Sequence, residues 1–172
     1  MYRIPTMEHI EKIWNTGAAS PFDLDNDLVD AFKESTGSTG VVGLRWRYGG
    51  RIHELGTYAV VLPDKSGAAT TSKWNGKGAN WMDVVNADGS LRFRFRPPPL
   101  SERLDHTHAK LESPRPGWPS SGIAFGVQAS YRDKAASAPM SAGEGVASVG
   151  LLLDIDWENG DLKDWKVIPP YG

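Results

Sequence analysis

The sequence predicts a mainly β protein, a single antiparallel up-and-down barrel of about seven or eight strands. Three observations predict it. Apolar and polar side chains alternate at period 2 over several stretches. The clearest is 149–157, where Val149, Leu151, Leu153, Ile155 and Trp157 share one face and Gly150, Asp154 and Asp156 the other. Turn dipeptides (Gly49-Gly50, Asp88-Gly89, Asn159-Gly160) stand between such stretches. Nineteen glycines and twelve prolines supply the tight connections that many short strands need. At 172 residues the chain has the length of one domain, 1–172, burying roughly two-thirds of its unfolded surface.

Two short helices are expected first. Thr6 caps one with apolar positions Met7, Ile10, Ile13 and Trp14, closed by Gly17. Asp25 or Asn26 caps the second, with stripe Leu28, Val29 and Phe32 and stop Gly37. Residues 1–37 then form a helical segment packed on the barrel. Strands 41–48 and 51–62 follow. A two-residue turn at Gly49-Gly50 sets Tyr48 opposite Arg51, Trp46 opposite His53, Arg45 opposite Glu54 and Leu44 opposite Leu55. Leu44, Trp46, His53 and Leu55 then share the inward face, and Arg45 and Glu54 attract on the other. Gly56 offers a bulge.

Residues 63–79 read as a loop with one weak strand near 68–74. A two-residue turn at Asp88-Gly89 sets Val84 opposite Phe93, Met82 opposite Phe95 and Asp83 opposite Arg94. Pro97-Pro98-Pro99 ends that hairpin, because proline cannot donate to a ladder. Residues 100–111 read as a helical turn or two, and 113–121 as a loop. Residues 123–131 form a strand with Ile123, Phe125, Val127, Ala129 and Tyr131 on one face. Residues 133–146 are a loop. A final three-residue turn, 158–160, with Gly160 left-handed, sets Leu153 opposite Trp165 and Leu151 opposite Val167. A β-sandwich, or a cone-shaped α+β sheet around the N-terminal helices, accommodates the same strands.

The chain has no cysteine, which excludes disulfides and thiol chemistry. Its net charge of −2 gives no reason to expect nucleic acid. No apolar run has membrane-spanning length, and the start lacks a signal-peptide core, so a cytoplasmic protein without a membrane partner is expected. A homodimer is compatible with all of this. Walker, nucleophile-elbow and dinucleotide fingerprints are absent from the sequence.

His53 leads the candidate residues. Beside Trp46 on an inward face it would serve as acid, base or hydrogen-bond donor, since burial disfavours its charged form. Tyr131, the last inward residue of its strand, would sit at a barrel mouth and orient a ligand. Leu44, Trp46, Phe93, Phe125, Trp157 and Trp165 would be the walls. The alternative for each is plain core packing. His106-Thr-His108, with Glu112 four residues on, is similar to the first metal motif of cupin barrels, but no later histidine completes it. Asp23, Asp25 and Asp27 open like a calcium loop that lacks its glycine and its closing glutamate. No metal or cofactor is expected. Arg92, Arg94 and Arg96 line one strand face, with Arg45 and Arg47 on another. Trp74, Trp81 and Trp118 lie in or beside loops, where indoles stack on ligands or seal barrel ends.

Gly78-Ala-Asn-Trp81, then Ala87-Asp-Gly89 and an alternating strand, resembles a family of small antiparallel barrels of unassigned function, with Asn80 where that family usually has an acid. The closing strand 150–157 is similar to its last strand. The resemblance covers about thirty residues, implies a lipocalin-like or allene-oxide-cyclase-like barrel, and carries no catalytic residue.

The expected function is therefore binding of a small, mostly apolar or aromatic molecule inside the barrel, with cofactor-independent isomerisation, cyclisation or elimination by His53 and Tyr131. A non-catalytic ligand carrier or a lectin-like carbohydrate-binding module is the alternative. A third reading is a structural or immunity-type interaction protein that uses the arginine face as its contact.

Overall fold

Strands form where the side chains alternate, and turn chemistry fixes how neighbours pair. The computed structural model describes residues 5–70, 81–102, 104–116, 124–133, 146–156 and 158–168. These described residues form three antiparallel four-stranded sheets and one helix. The first sheet contains β1 (Glu8–Trp14), β2 (Ala19–Pro21), β3 (Val41–Tyr48) and β4 (Arg51–Leu55), in the order β2-β1-β3-β4. The second runs in sequence order through β5 (Ala59–Val61), β6 (Gly67–Thr70), β7 (Met82–Asn86) and β8 (Leu91–Phe95). The third contains β9 (Leu104–Pro116), β10 (Ala124–Asp133), β11 (Val146–Ile155) and β12 (Leu162–Ile168), in the order β12-β11-β10-β9.

The residue pairs named from the sequence are observed, but only the Gly49-Gly50 hairpin keeps its register up to the turn; the other two ladders slip by one residue beside theirs, where Val85 opposes Leu91 and Ile155 opposes Leu162. Trp46 opposes His53 and Tyr48 opposes Arg51. Val84 opposes Phe93, and Asp83 opposes Arg94. Leu153 opposes Trp165. The turn glycines Gly49, Gly50, Gly89 and Gly160 all have positive φ, as those tight turns require.

The helix α1 (Asn26–Thr36) forms where the second stripe places it. Asp25 caps it by accepting a hydrogen bond from Leu28 N at 3.0 Å, and left-handed Gly37 closes it. The other expected N-terminal helix is instead β1. Ile10 and Trp14, four apart, suit either period, but Met7 and Ile10, three apart, share a strand face only if an extra residue intervenes. The β1–β3 register shifts between Glu8 and Glu11, with His9 at φ 48°, and this bulge lets both Met7 and Ile10 be buried. Residues 104–116, expected as helical turns up to 111 and as loop from 113, likewise form a strand, because β10 offers a ladder in which Ala129 opposes the fully buried Leu111.

The expected barrel does not close: among the described residues no ladder joins one sheet to another. The second sheet is a middle layer. One core holds Met7, Ile10, Leu44 and Trp46 of the first sheet with Ala68, Val85 and Ala87. The other holds Ala69, Met82, Val84, Phe93 and Phe95 with Leu111, Val127, Ala129, Tyr131, Leu151 and Leu153 of the third sheet. Consecutive residues Ala68 and Ala69 are thus buried in opposite cores. Every residue of β6, Gly-Ala-Ala-Thr, is buried. Small side chains on both faces suit a strand covered from both sides, whereas a barrel strand would keep one face wet.

Candidate functional site

The residues expected to share one pocket lie in two separate interiors. Leu44 and Trp46 pack between the first and second sheets. Trp46 is 1 % exposed, and its Nε1 donates to the Ala87 carbonyl at 2.7 Å. His53 stacks on the Trp46 ring, with centroids 5.7 Å apart and planes 19° apart, and Tyr48 lies 6.4 Å away. On its other side His53 meets the β7–β8 turn, where a Cβ on Gly89 would lie 3.1 Å from Nδ1. The neighbouring Asp88 carboxyl is held below its usual pKa, chiefly by hydrogen bonds from Ser90 and to a lesser degree by His53.

Phe93, Tyr131 and Trp165 belong to the other interior. Tyr131 is fully buried rather than at a mouth. Its hydroxyl donates to the Pro98 carbonyl at 2.9 Å, and desolvation pushes its pKa up to about 12. Phe125 opposes Leu153 in the backbone ladder, but its side chain lies outside the described part. Trp157, Trp74 and Trp118 also lie outside the described residues, as do the side chains of His106 and His108 on β9.

An open cleft of about 720 Å³ lies at the β1 bulge. β2 ends at Pro21, beside Glu11, so the first residues of β1 run on past it. Phe22 N–H donates to Ile10 O at 3.2 Å and turns the chain around the cleft. The apolar lining is Met7, Ile10, Pro21 and Phe22, and the ionisable lining is Glu8, His9, Glu11, Asp23, Arg47 and Lys65. Among the described residues, the non-glycine residues with positive φ are His9 at 48° and Lys65 at 59°, and both line this cleft. Met7 N–H donates to Lys65 O at 2.7 Å, tying the β1 bulge to the β5–β6 turn. Left-handed backbone costs an L residue roughly 1–2 kcal/mol and clusters at functional sites.

Arg45 on β3 lies opposite Glu11 of β1 on one side and Glu54 of β4 on the other, and it pairs with Glu11 at 3.3 Å. Both groups are well exposed, so the pair adds little stability but orders the charge beside the cleft. The cleft was missed in the sequence because four distant segments build it; His9, the residue out of phase in the β1 pattern, was its trace. Among the described residues no three His, Asp or Glu side chains are grouped to hold a metal ion, and no helix is long and apolar enough to cross a membrane.

Two comparisons, with family models and with curated proteins, found no match. In a third, a chain of the solved "Structure of Tne2 in complex with Tni2" is similar to this one, with a TM-score of 0.61 at 16 % identity, covering 95 % of this chain and 100 % of that chain. That likeness is one of fold.

Proposed function

We propose that this chain is a binding module for another protein, an interaction domain of the immunity type, which receives a segment of its partner in the cleft at the β1 bulge. One observation carries the reading: both strained non-glycine residues, His9 and Lys65, line a single open, charge-rimmed cleft. The bulge and the tight turn that impose these conformations also set both residues on the cleft rim, so the cleft is shaped by fixed main chain. The similar fold comes from a complex between two proteins, which supports the same class of function.

Enclosure of a mostly apolar substrate is less well supported. An isomerase, cyclase or lyase using both His53 and Tyr131 needs them to face one molecule, yet they lie against cores on opposite sides of the second sheet. The recess beside Tyr48, Asp88 and Arg92 measures about 170 Å³. Pockets for drug-sized ligands are roughly 300–1,000 Å³ and mostly apolar.

The test is capture of partners from an extract of the native host on immobilised wild-type protein and on an Arg47→Glu/Lys65→Glu variant. A protein retained by the wild type alone is then purified and titrated by calorimetry. The expected result is a 1:1 complex weakened at least about tenfold by the double substitution. Equal binding by both forms overturns the cleft as the site, and absence of any retained protein overturns the reading.

A further inference from the structure

We propose that the face of the second sheet carrying Trp81, Arg94 and Arg96 is a docking surface for an acidic segment of a partner protein. The inference rests on the protein-binding reading for the class of occupant, but the surface is separate from the cleft.

Arg94 and Arg96, two apart on and just beyond β8, project to the same face. Trp81 immediately precedes β7, whose Met82 opposes Phe95, so the indole lies beside both arginines. The guanidinium of Arg94 sits 4.5 Å from the Trp81 ring centroid and that of Arg96 5.8 Å. Arg94 is fixed by a two-pronged bond to Asp83, Nε to Oδ1 at 2.7 Å and Nη2 to Oδ2 at 3.1 Å. Among the described residues, no carboxylate is within ion-pair distance of Arg96, and the buried Trp81 Nε1 has no acceptor.

The patch therefore holds more donors than acceptors. Exposed Arg96 is open to an incoming carboxylate, whereas the buried Trp81 N–H is closed to solvent and serves the patch only through its ring face. Two guanidiniums held against one indole form a flat, pre-ordered surface, so little side-chain freedom is lost when carboxylates dock. Arginine and tryptophan are also the residue types that concentrate binding energy at protein interfaces. A nucleic acid is the less suitable occupant. Firm phosphate-backbone binding neutralises about six to ten phosphates, whereas here Asp83 already offsets Arg94 in a chain of net charge −2.

The test titrates the protein, all 172 residues, with a synthetic glutamate-rich peptide, and separately with single-stranded RNA, at low salt. The expected result is peptide binding that weakens at least about tenfold in Arg96→Glu, partly returns in Arg96→Lys, and is unchanged in the Arg47→Glu/Lys65→Glu cleft variant. Trp81→Leu, which removes the aromatic face beneath both guanidiniums, weakens binding by a smaller factor. If Trp81→Leu fails to fold, the exposed Arg96 variants still decide the matter. Peptide affinity unaffected by Arg96→Glu overturns the platform while leaving the cleft reading intact. RNA bound more tightly than the peptide overturns the choice of occupant.

Discussion

The indole nitrogen of Trp46 on β3 donates to the main-chain carbonyl of Ala87 at 2.7 Å, fastening the first sheet to the β7–β8 turn. Trp46→Phe fills most of the volume but leaves that carbonyl without its donor. The expected loss is about 1–3 kcal/mol, read as a lower denaturation midpoint in urea with an unchanged slope. Trp46→Ala adds a cavity, and about 3–5 kcal/mol is expected. Loss below about 0.5 kcal/mol in both variants would show that the bond and the packing contribute little.

His53 and Gly89 are the second fastening. Gly89 has φ 83°, and a Cβ there would lie 3.1 Å from His53 Nδ1. Gly89→Ala therefore meets both backbone strain and crowding, and a destabilisation of about 1–3 kcal/mol is expected. Part of it should vanish in a His53→Ala background, because the crowding has gone while the strain remains. Equal penalties in the two backgrounds, measured as a double-mutant cycle, would mean that the imidazole exerts no pressure on the turn.

Tyr131 predicts an alkaline instability. Its folded-state pKa, about 12, lies above the ordinary value of 10.0, so the neutral phenol is favoured by folding. Below the unfolded-state value both states hold the proton and the contribution is complete. Between pH 10 and 12 the unfolded chain ionises first, and stability falls by roughly 1.4 kcal/mol per pH unit. Tyr131→Phe should lose about 1–3 kcal/mol at neutral pH, because the Pro98 carbonyl is left unpaired, and should flatten the decline over that window. An unchanged alkaline slope in the variant would assign the decline to other groups.

The backbone at Lys65 can be relaxed directly. Lys65→Gly removes the steric cost of φ 59°, roughly 1–2 kcal/mol, against about 0.5–1 kcal/mol of added unfolded-state entropy. A net gain of about 1 kcal/mol or less is expected by thermal or urea denaturation, together with weaker partner binding because the ammonium is gone. A clear loss of stability would mean that the side chain supports the turn, its contact over Phe22 at 5.5 Å being the first place to look.

Local pairing was legible in the sequence because turn chemistry acts over few residues. Gly49-Gly50 fixed Trp46 against His53, and Asp88-Gly89 fixed Val84 against Phe93. The capping of α1 by Asp25 and Gly37 was legible for the same reason. What failed was non-local. Alternation says that a strand has two unlike faces, but not which distant sheet covers each, so three stacked sheets and a barrel read alike. The bulge at His9 shifted Met7 out of strand phase and imitated a helix. Arg94 and Arg96 stood out through the alternation of β8, while Trp81 was visible only as an aromatic near a turn. The cleft joins β1, the end of β2, Arg47 and the β5–β6 turn, and no single window of sequence contains it.

Adjacent alanines facing opposite interiors, Ala68 towards one and Ala69 towards the other, leave the two outer layers no independence. Swelling one side pushes the shared strand into its neighbour, so neither flank can melt while the other persists. Denaturation should accordingly be all-or-none, with spectroscopic reporters at Trp46 and Trp165 losing their signals along the same curve.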